Sequence, residues 1–145
     1  MYFVDREKIE IILTYLEKQI ELFEQTTSWT TPIEKAALER IPHIMIEAIL
    51  DVGNDIIDGF IMRDPGSYED IIDILTDEKV VTEEVSLALK RVIPYRKILV
   101  QNYTEINHEQ VQADFTENLT LLKEFAPLVR SYLQNELGPV SAFKN

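Results

Sequence analysis

The chain has 145 residues, the size of one ordinary domain, and no cysteine, which excludes a disulfide framework, a thiolate metal site and a cysteine nucleophile. Hydrophobic residues at 46% and charged residues at 28% disfavour disorder, and no apolar run reaches the roughly 18 residues that a membrane helix needs. Twenty-six acidic against fourteen basic side chains, a net charge of -12, repel phosphates at long range; this excludes a generic DNA-binding domain and confines any nucleic-acid contact to a local basic spot or a partner's help.

Nearly every segment carries a helical period. From Asp5 to about Gln25, Ile9, Ile12, Leu13, Leu16, Ile20 and Phe23 recur at three- and four-residue steps and predict a bundle helix. The leading MYFVDREKIE, charged from its fifth residue, does not read as a signal peptide, and a cytoplasmic protein is expected. TTSWTTPIEK then predicts a linker and a helix start, with Thr31 as N-cap, Pro32 at the first helical position and Glu34 near the positive end of the dipole. This second helix is expected to run to about Met62, with Ile41, Met45, Ala48, Val52 and Ile56 as its buried seam and a kink at Pro42.

RDPGS predicts a turn, and Ser67 with Asp70 resembles a capping box opening a short helix, SYEDIIDILTDE. Thr82, followed by Glu83 and Glu84, caps a third long element, VSLALKRVIPYRKILVQNY, in which Pro94 either kinks the helix or begins a new one. Asn107 caps the last helix, Pro127 predicts a kink in it, and Gly138-Pro139 ends it. The expectation is an all-α, antiparallel up-and-down bundle of four long helices plus a short one, forming a single domain over 1–145.

Carboxylates abound, so a metal site is weighed first. Glu47 and Asp51 are four residues apart on one helix, and His43 precedes Glu47 by one turn. A bundle builds a carboxylate metal site when two facing helices each contribute a Glu-x-x-His pair, and that doubled arrangement does not occur. An interhelical or solvent-facing polar cluster is the preferred reading, with no metal or other cofactor expected; a carboxylate metal protein with chelator-sensitive stability is the alternative. Ser28, Ser67, Ser86, Ser131 and Ser141 lie in no nucleophile-elbow context, and four glycines form no phosphate loop. Gly53 and Gly59, inside the second helix, either permit close packing or interrupt it.

The remaining cluster is YRKILVQNY, Tyr95 to Tyr103. At 100° per residue Arg96 and Tyr103 fall within about 20° of each other, whereas Gln101 lies about 140° from Arg96. The three share no face of an unbroken helix. They converge only if the helix ends near Gln101 or a second chain completes the site. The alternative is that Arg96 pairs with a carboxylate and Tyr103 packs at a helix end.

YRKILVQNYTEINHEQVQADF resembles the motif of HepT-like toxins, a group within the HEPN ribonuclease superfamily. Those members read arginine, asparagine, any residue, Leu-Val, histidine, any residue, tyrosine, and then an Ile-Asp/Asn turn. Here Arg96 holds the arginine position, Leu99-Val100 the apolar pair, Gln101 the histidine position, Tyr103 the tyrosine position and Ile106-Asn107 the turn. ALERIPHIMIEAILDVGNDII, Ala37 to Ile57, is similar to the family's second helix, matched at Arg40 and Ile46-Glu47-Ala48.

The resemblance implies a helical bundle that dimerises, so that the motifs of two subunits form a composite cleft which cleaves RNA without a metal. It implies as partner a minimal nucleotidyltransferase antitoxin that transfers AMP to the motif tyrosine. On this reading Arg96 binds the scissile phosphate, Gln101 orients substrate or water, Lys97 and Asn102 contact substrate, and Tyr103 contacts RNA or accepts the adenylyl group. Lys97 stands where the family has asparagine. Gln101 does not titrate near neutral pH and cannot act as general base or acid, a loss that typically costs about a hundred- to ten-thousand-fold. His108 reaches the cleft only if the chain folds back or a second subunit supplies it; otherwise it is a helix-start histidine. The expectation is a homodimeric HepT-like endoribonuclease toxin with an altered site. The alternative is a non-catalytic module that keeps the fold and cleft for a protein partner or nucleotide.

Overall fold

The computed structural model describes residues 3–138, and among them every regular element is an α-helix. In chain order these are α1 (Arg6–Gln25), α2 (Pro32–Gly59), α3 (Tyr68–Asp77), α4 (Glu83–Val92), α5 (Tyr95–Gln101), α6 (His108–Leu122) and α7 (Phe125–Leu137). The expected helix starts are present. Asp5, Thr31, Thr82 and Asn107 each accept a hydrogen bond from a first-turn backbone N–H, satisfying donors the helix itself leaves orphaned. At Thr31 the capping box is reciprocal, because Glu34 also accepts from the Thr31 N–H.

Ser67 behaves differently from the expectation. It caps α3 through the Asp70 N–H, but the Asp70 carboxylate turns away from the Ser67 backbone. It accepts instead from both terminal nitrogens of Arg63, at 2.7 and 2.9 Å, and from the Gly66 N–H. A guanidinium fork offers two bonds between opposite charges where the box offers one, to an uncharged N–H. The carboxyl is consequently held down at about 2, with Arg63 the largest cause.

The prolines act at different distances from where they stand. The helix runs unbroken through the buried Pro42, and α2 ends at Gly59 rather than Met62. Pro94 ends α4 and starts the separate helix α5. Near Pro127 the break falls at Lys123–Glu124, so that Pro127 stands in the first turn of α7. A proline ring clashes with the carbonyl four residues earlier, here that of Lys123, and is tolerated where a new helix has just begun. The third and fourth long elements are thus each two helices in series. Of the Gly138-Pro139 stop, Gly138 closes α7 with φ 78°, and Pro139 lies outside the described residues.

Polar contacts establish the antiparallel order. Phe3 N–H donates to the Gly59 carbonyl and Lys8 bonds Asp55, so the start of α1 meets the end of α2. Lys123 reaches Glu24, Arg130 grips both Glu17 and Glu10, and Arg6 donates to the Gly138 carbonyl, so α7 runs back along α1. Arg91 bonds Asn118 while Tyr95 bonds Asp114, which sets α4 and α5 against α6. Gly53 and Gly59 are packing glycines: a Cβ at Gly53 would stand 2.7 Å from a methyl of Ile71, and one at Gly59 would stand 2.9 Å from the Phe3 carbonyl oxygen.

The predicted apolar stripes face one core. Ile9, Leu13, Leu16, Ile20 and Phe23 of α1 and Ile41, Met45, Ala48, Val52 and Ile56 of α2 are all buried. An aromatic chain extends this core toward α5. Trp29, in the linker, stacks on Phe23 at 5.5 Å; Phe23 meets Phe115 at 6.3 Å; and Phe115 meets Tyr95 edge-on at 5.7 Å. Tyr95 also donates to Asp114, and burial with that bond pushes its phenol well above the usual range. The first residue of α5 is therefore anchored on both its ring and its hydroxyl, and this anchor sets where Arg96 points.

Candidate functional site

Arg96 follows the anchored Tyr95 and turns toward α2. Its Nε donates to Glu47 Oε1 at 2.5 Å, and the guanidinium carbon lies 4.5 Å above the centroid of the Tyr68 ring on α3. The Arg96 and Glu47 side chains are 28% and 31% exposed, so both retain contact with water. Among the described residues the two terminal nitrogens of Arg96 make no hydrogen bond. A cation oriented through Nε and a ring face, with its outer fork open, is arranged to receive an anion.

Glu47 belongs to a row. Glu39, His43, Glu47, Asp51 and Asp55 recur every four residues along α2, the spacing of a helix surface ridge. Partners meet this row from three other helices. His108 Nε2 of α6 lies 2.7 Å from Glu39 Oε2, Arg96 of α5 takes Glu47, and Lys8 of α1 takes Asp55. His43 Nε2 lies 3.5 Å from the same Glu47 oxygen that Arg96 holds. Partial burial pushes the Asp51 carboxyl up, the charges of Glu47 and Asp55 add to this, and Lys8 and Arg96 oppose it.

The other motif residues stand apart from this cluster. Gln101 is the last residue of α5, Asn102 is its C-cap, and Tyr103 lies in the turn beyond, 64% exposed. Helix α5 thus does end at Gln101, one of the two conditions for convergence. Among the described residues, however, the side chains of Lys97, Gln101, Asn102 and Tyr103 make no hydrogen bond or ion pair with Arg96 or any other residue. All four are exposed. Arg96 is paired with a carboxylate, as the alternative reading of the spacing expected, while Tyr103 projects outward instead of packing at the helix end. His108 is the first residue of α6 and is engaged by Glu39.

Among the described residues no group of three or more His, Asp or Glu side chains is placed to hold a metal ion. One Glu-x-x-His spacing does occur in the sequence, Glu105 to His108, but Glu105 precedes α6 and the pair shares no helix face. Sequence reasoning missed Tyr68 and Glu39. The four-residue acidic row on α2 was a signal for Glu39, whereas nothing local marks Tyr68, which reaches Arg96 only because α3 packs on α2 and α4.

This helical bundle belongs to a family of ribonuclease-like proteins: the family described as Ribonuclease HepT-like matches residues 6–129. Over 144 residues the chain is 56% identical to a Bacillus subtilis (strain 168) protein named "Putative RNase YutE", covering 99% of this chain and 100% of that one. The solved structure of the cytosolic protein YutE from Bacillus subtilis is similar with a TM-score of 0.95 at 55% identity, over 99% of this chain and 100% of that chain. A toxin-antitoxin crystal structure with AMP-PNP is similar in fold, with a TM-score of 0.73 at 19% identity, over 83% of this chain and 96% of that chain. No helix among the described residues is long and apolar enough to cross a membrane.

Proposed function

We propose that this chain is the ribonuclease toxin of a toxin-antitoxin pair, cleaving RNA without a metal at a cleft shared by two copies of itself. The observation that carries the reading is Arg96: Glu47 and Tyr68 orient it, and its outer fork is open to solvent beside an exposed polar edge. Cleavage of RNA by its own 2′-hydroxyl builds negative charge on a five-coordinate phosphorus, and a fixed guanidinium stabilises that charge without reorganising. Lys97 adds a second cation, and Asn102 offers an amide to the sugar or base. Gln101 orients the 2′-hydroxyl or a water by hydrogen bonding, and the exposed phenol of Tyr103 contacts RNA or accepts an adenylyl group from a nucleotidyltransferase antitoxin. Val100, 42% exposed beside Lys97 and Gln101, supplies apolar surface for the second copy.

Gln101 favours a second reading, in which the chain keeps the fold and cleft as a binding module for a protein partner or nucleotide and cleaves nothing. An RNA oligonucleotide assay in excess chelator separates the two. Arg96-dependent cleavage by the wild type supports the enzyme. Equal inertness of wild type and Arg96→Ala, with cleavage gained by Gln101→His, supports the binding module. Sedimentation at micromolar concentration tests the dimer, and a monomer removes the composite cleft.

A further inference from the structure

We infer that His43 of α2 is the proton-transfer group of this site, standing in for the histidine that the α5 motif lacks. The inference rests on the ribonuclease reading above and concerns which residue performs its proton chemistry.

Register carries the first part. From Arg96 to His108 the partners on α2 step backwards, from Glu47 to Glu39, so the chain beyond Arg96 runs counter to α2. His43 lies one turn back from Glu47, on the side of Arg96 toward which the chain runs to Gln101. The imidazole thus stands on α2 toward the side of Arg96 where the motif expects one.

Proximity carries the second part. His43 Nε2 and Arg96 Nε approach the same Glu47 oxygen, at 3.5 and 2.5 Å, which bounds their separation at about 6 Å, the span of a phosphate and its attacking oxygen. The His43 side chain is 23% exposed, so part of the ring reaches solvent. His108, the other histidine, has its Nε2 engaged by Glu39 at 2.7 Å. His43 makes no hydrogen bond among the described residues; with Nε2 on the side of Glu47, its Nδ1 is the atom left to take a proton.

The step balances on this one group. His43 Nδ1 takes the proton of the 2′-hydroxyl as the O2′–P bond forms, and Arg96 holds the charge on the phosphoryl oxygens. The P–O5′ bond then breaks, and the imidazolium returns the proton, through water, to the departing 5′-oxygen. The products are a 2′,3′-cyclic phosphate and a 5′-hydroxyl, and neutral His43 is restored.

The test uses the full chain and an end-labelled RNA oligonucleotide in chelator, between pH 5 and 9. Wild type is compared with Arg96→Ala, His43→Ala, His43→Gln and His43→Ala/Gln101→His, each checked for folding by circular dichroism. His43→Ala, or His43→Gln where the alanine variant does not fold, is expected to lower the rate about a hundred- to ten-thousand-fold. It also removes the pH limb that an imidazole imposes between pH 5 and 8, and added imidazole or Gln101→His restores part of the rate. The charged and titratable groups around His43 are Glu47, whose oxygen it shares with Arg96 of α5, and Glu39 one turn back on α2, which engages His108 of α6; a His108→Gln control therefore keeps the wild-type limb. Cleavage abolished by Arg96→Ala but unmoved in rate and pH profile by the His43 variants overturns the assignment and leaves the ribonuclease reading standing. An inert wild type overturns both.

Discussion

The orientation of Arg96 depends on one pair, and its strength can be worked from the geometry. In Glu47→Ala the guanidinium, on a side chain 28% exposed in the wild type, loses the one carboxylate partner it has among the described residues. A hydrogen bond between charged groups contributes about 1.5–3 kcal/mol. Because nearly a third of each side chain still meets solvent, screening reduces this to about 1–2 kcal/mol. Arg96→Ala removes the same bond and also the contact over Tyr68, about a further 0.5–1 kcal/mol. The double variant then costs less than the sum of the single variants by about 1–2 kcal/mol. Urea denaturation of all four proteins at one ionic strength measures this coupling, with the denaturant slope checked for constancy. Additivity within about 0.3 kcal/mol would refute the argument, because it would mean that Glu47 does not hold Arg96 in solution.

Two further outcomes follow from other parts of the bundle. Gly59→Ala should cost about 1–3 kcal/mol in thermal or urea unfolding, because the new methyl meets the Phe3 backbone carbonyl, which cannot rotate aside as a side chain does. Asp70 should show a defined acid dependence: its carboxyl, lowered from 3.8 to about 2 in the folded state, stabilises the fold above the unfolded value and loses that contribution as pH falls through about 4 to 2. The stability difference between wild type and Asp70→Asn is therefore level above about pH 5, falls through about pH 4 to 2 and closes below about pH 2, and it shrinks with added salt because the pair with Arg63 is exposed.

The class of fold was legible in the residues because its signals are local. Apolar spacing at three and four residues marked α1 and α2 and their buried faces, and Thr31, Thr82 and Asn107 marked helix starts, since a cap needs only a side-chain oxygen three residues before an orphan N–H. The motif stretch was likewise legible as a string, and its placement at the end of α5 agrees with one of the two geometries the spacing allowed. The breaks were less legible. Pro42 and Pro127 look alike in sequence, yet one lies inside an unbroken helix and the other opens a new one, because packing along the neighbouring helices decides whether a lost hydrogen bond ends the helix.

What no spacing rule could supply was the pairing across helices. Tyr68 under Arg96, Glu39 on His108 and the shared oxygen of Glu47 between Arg96 and His43 join residues separated by 28, 69, 49 and 4 positions, and only the last falls within reach of a helical period. Residue types and local periodicity determine which elements form and which faces are apolar, since those depend on neighbours within about one turn. Which charge meets which partner depends on how the apolar faces dock. That docking leaves Gln101 exposed at the end of α5 and brings His43 and Arg96 to one oxygen of Glu47, a juxtaposition that exists only once α5 lies against α2.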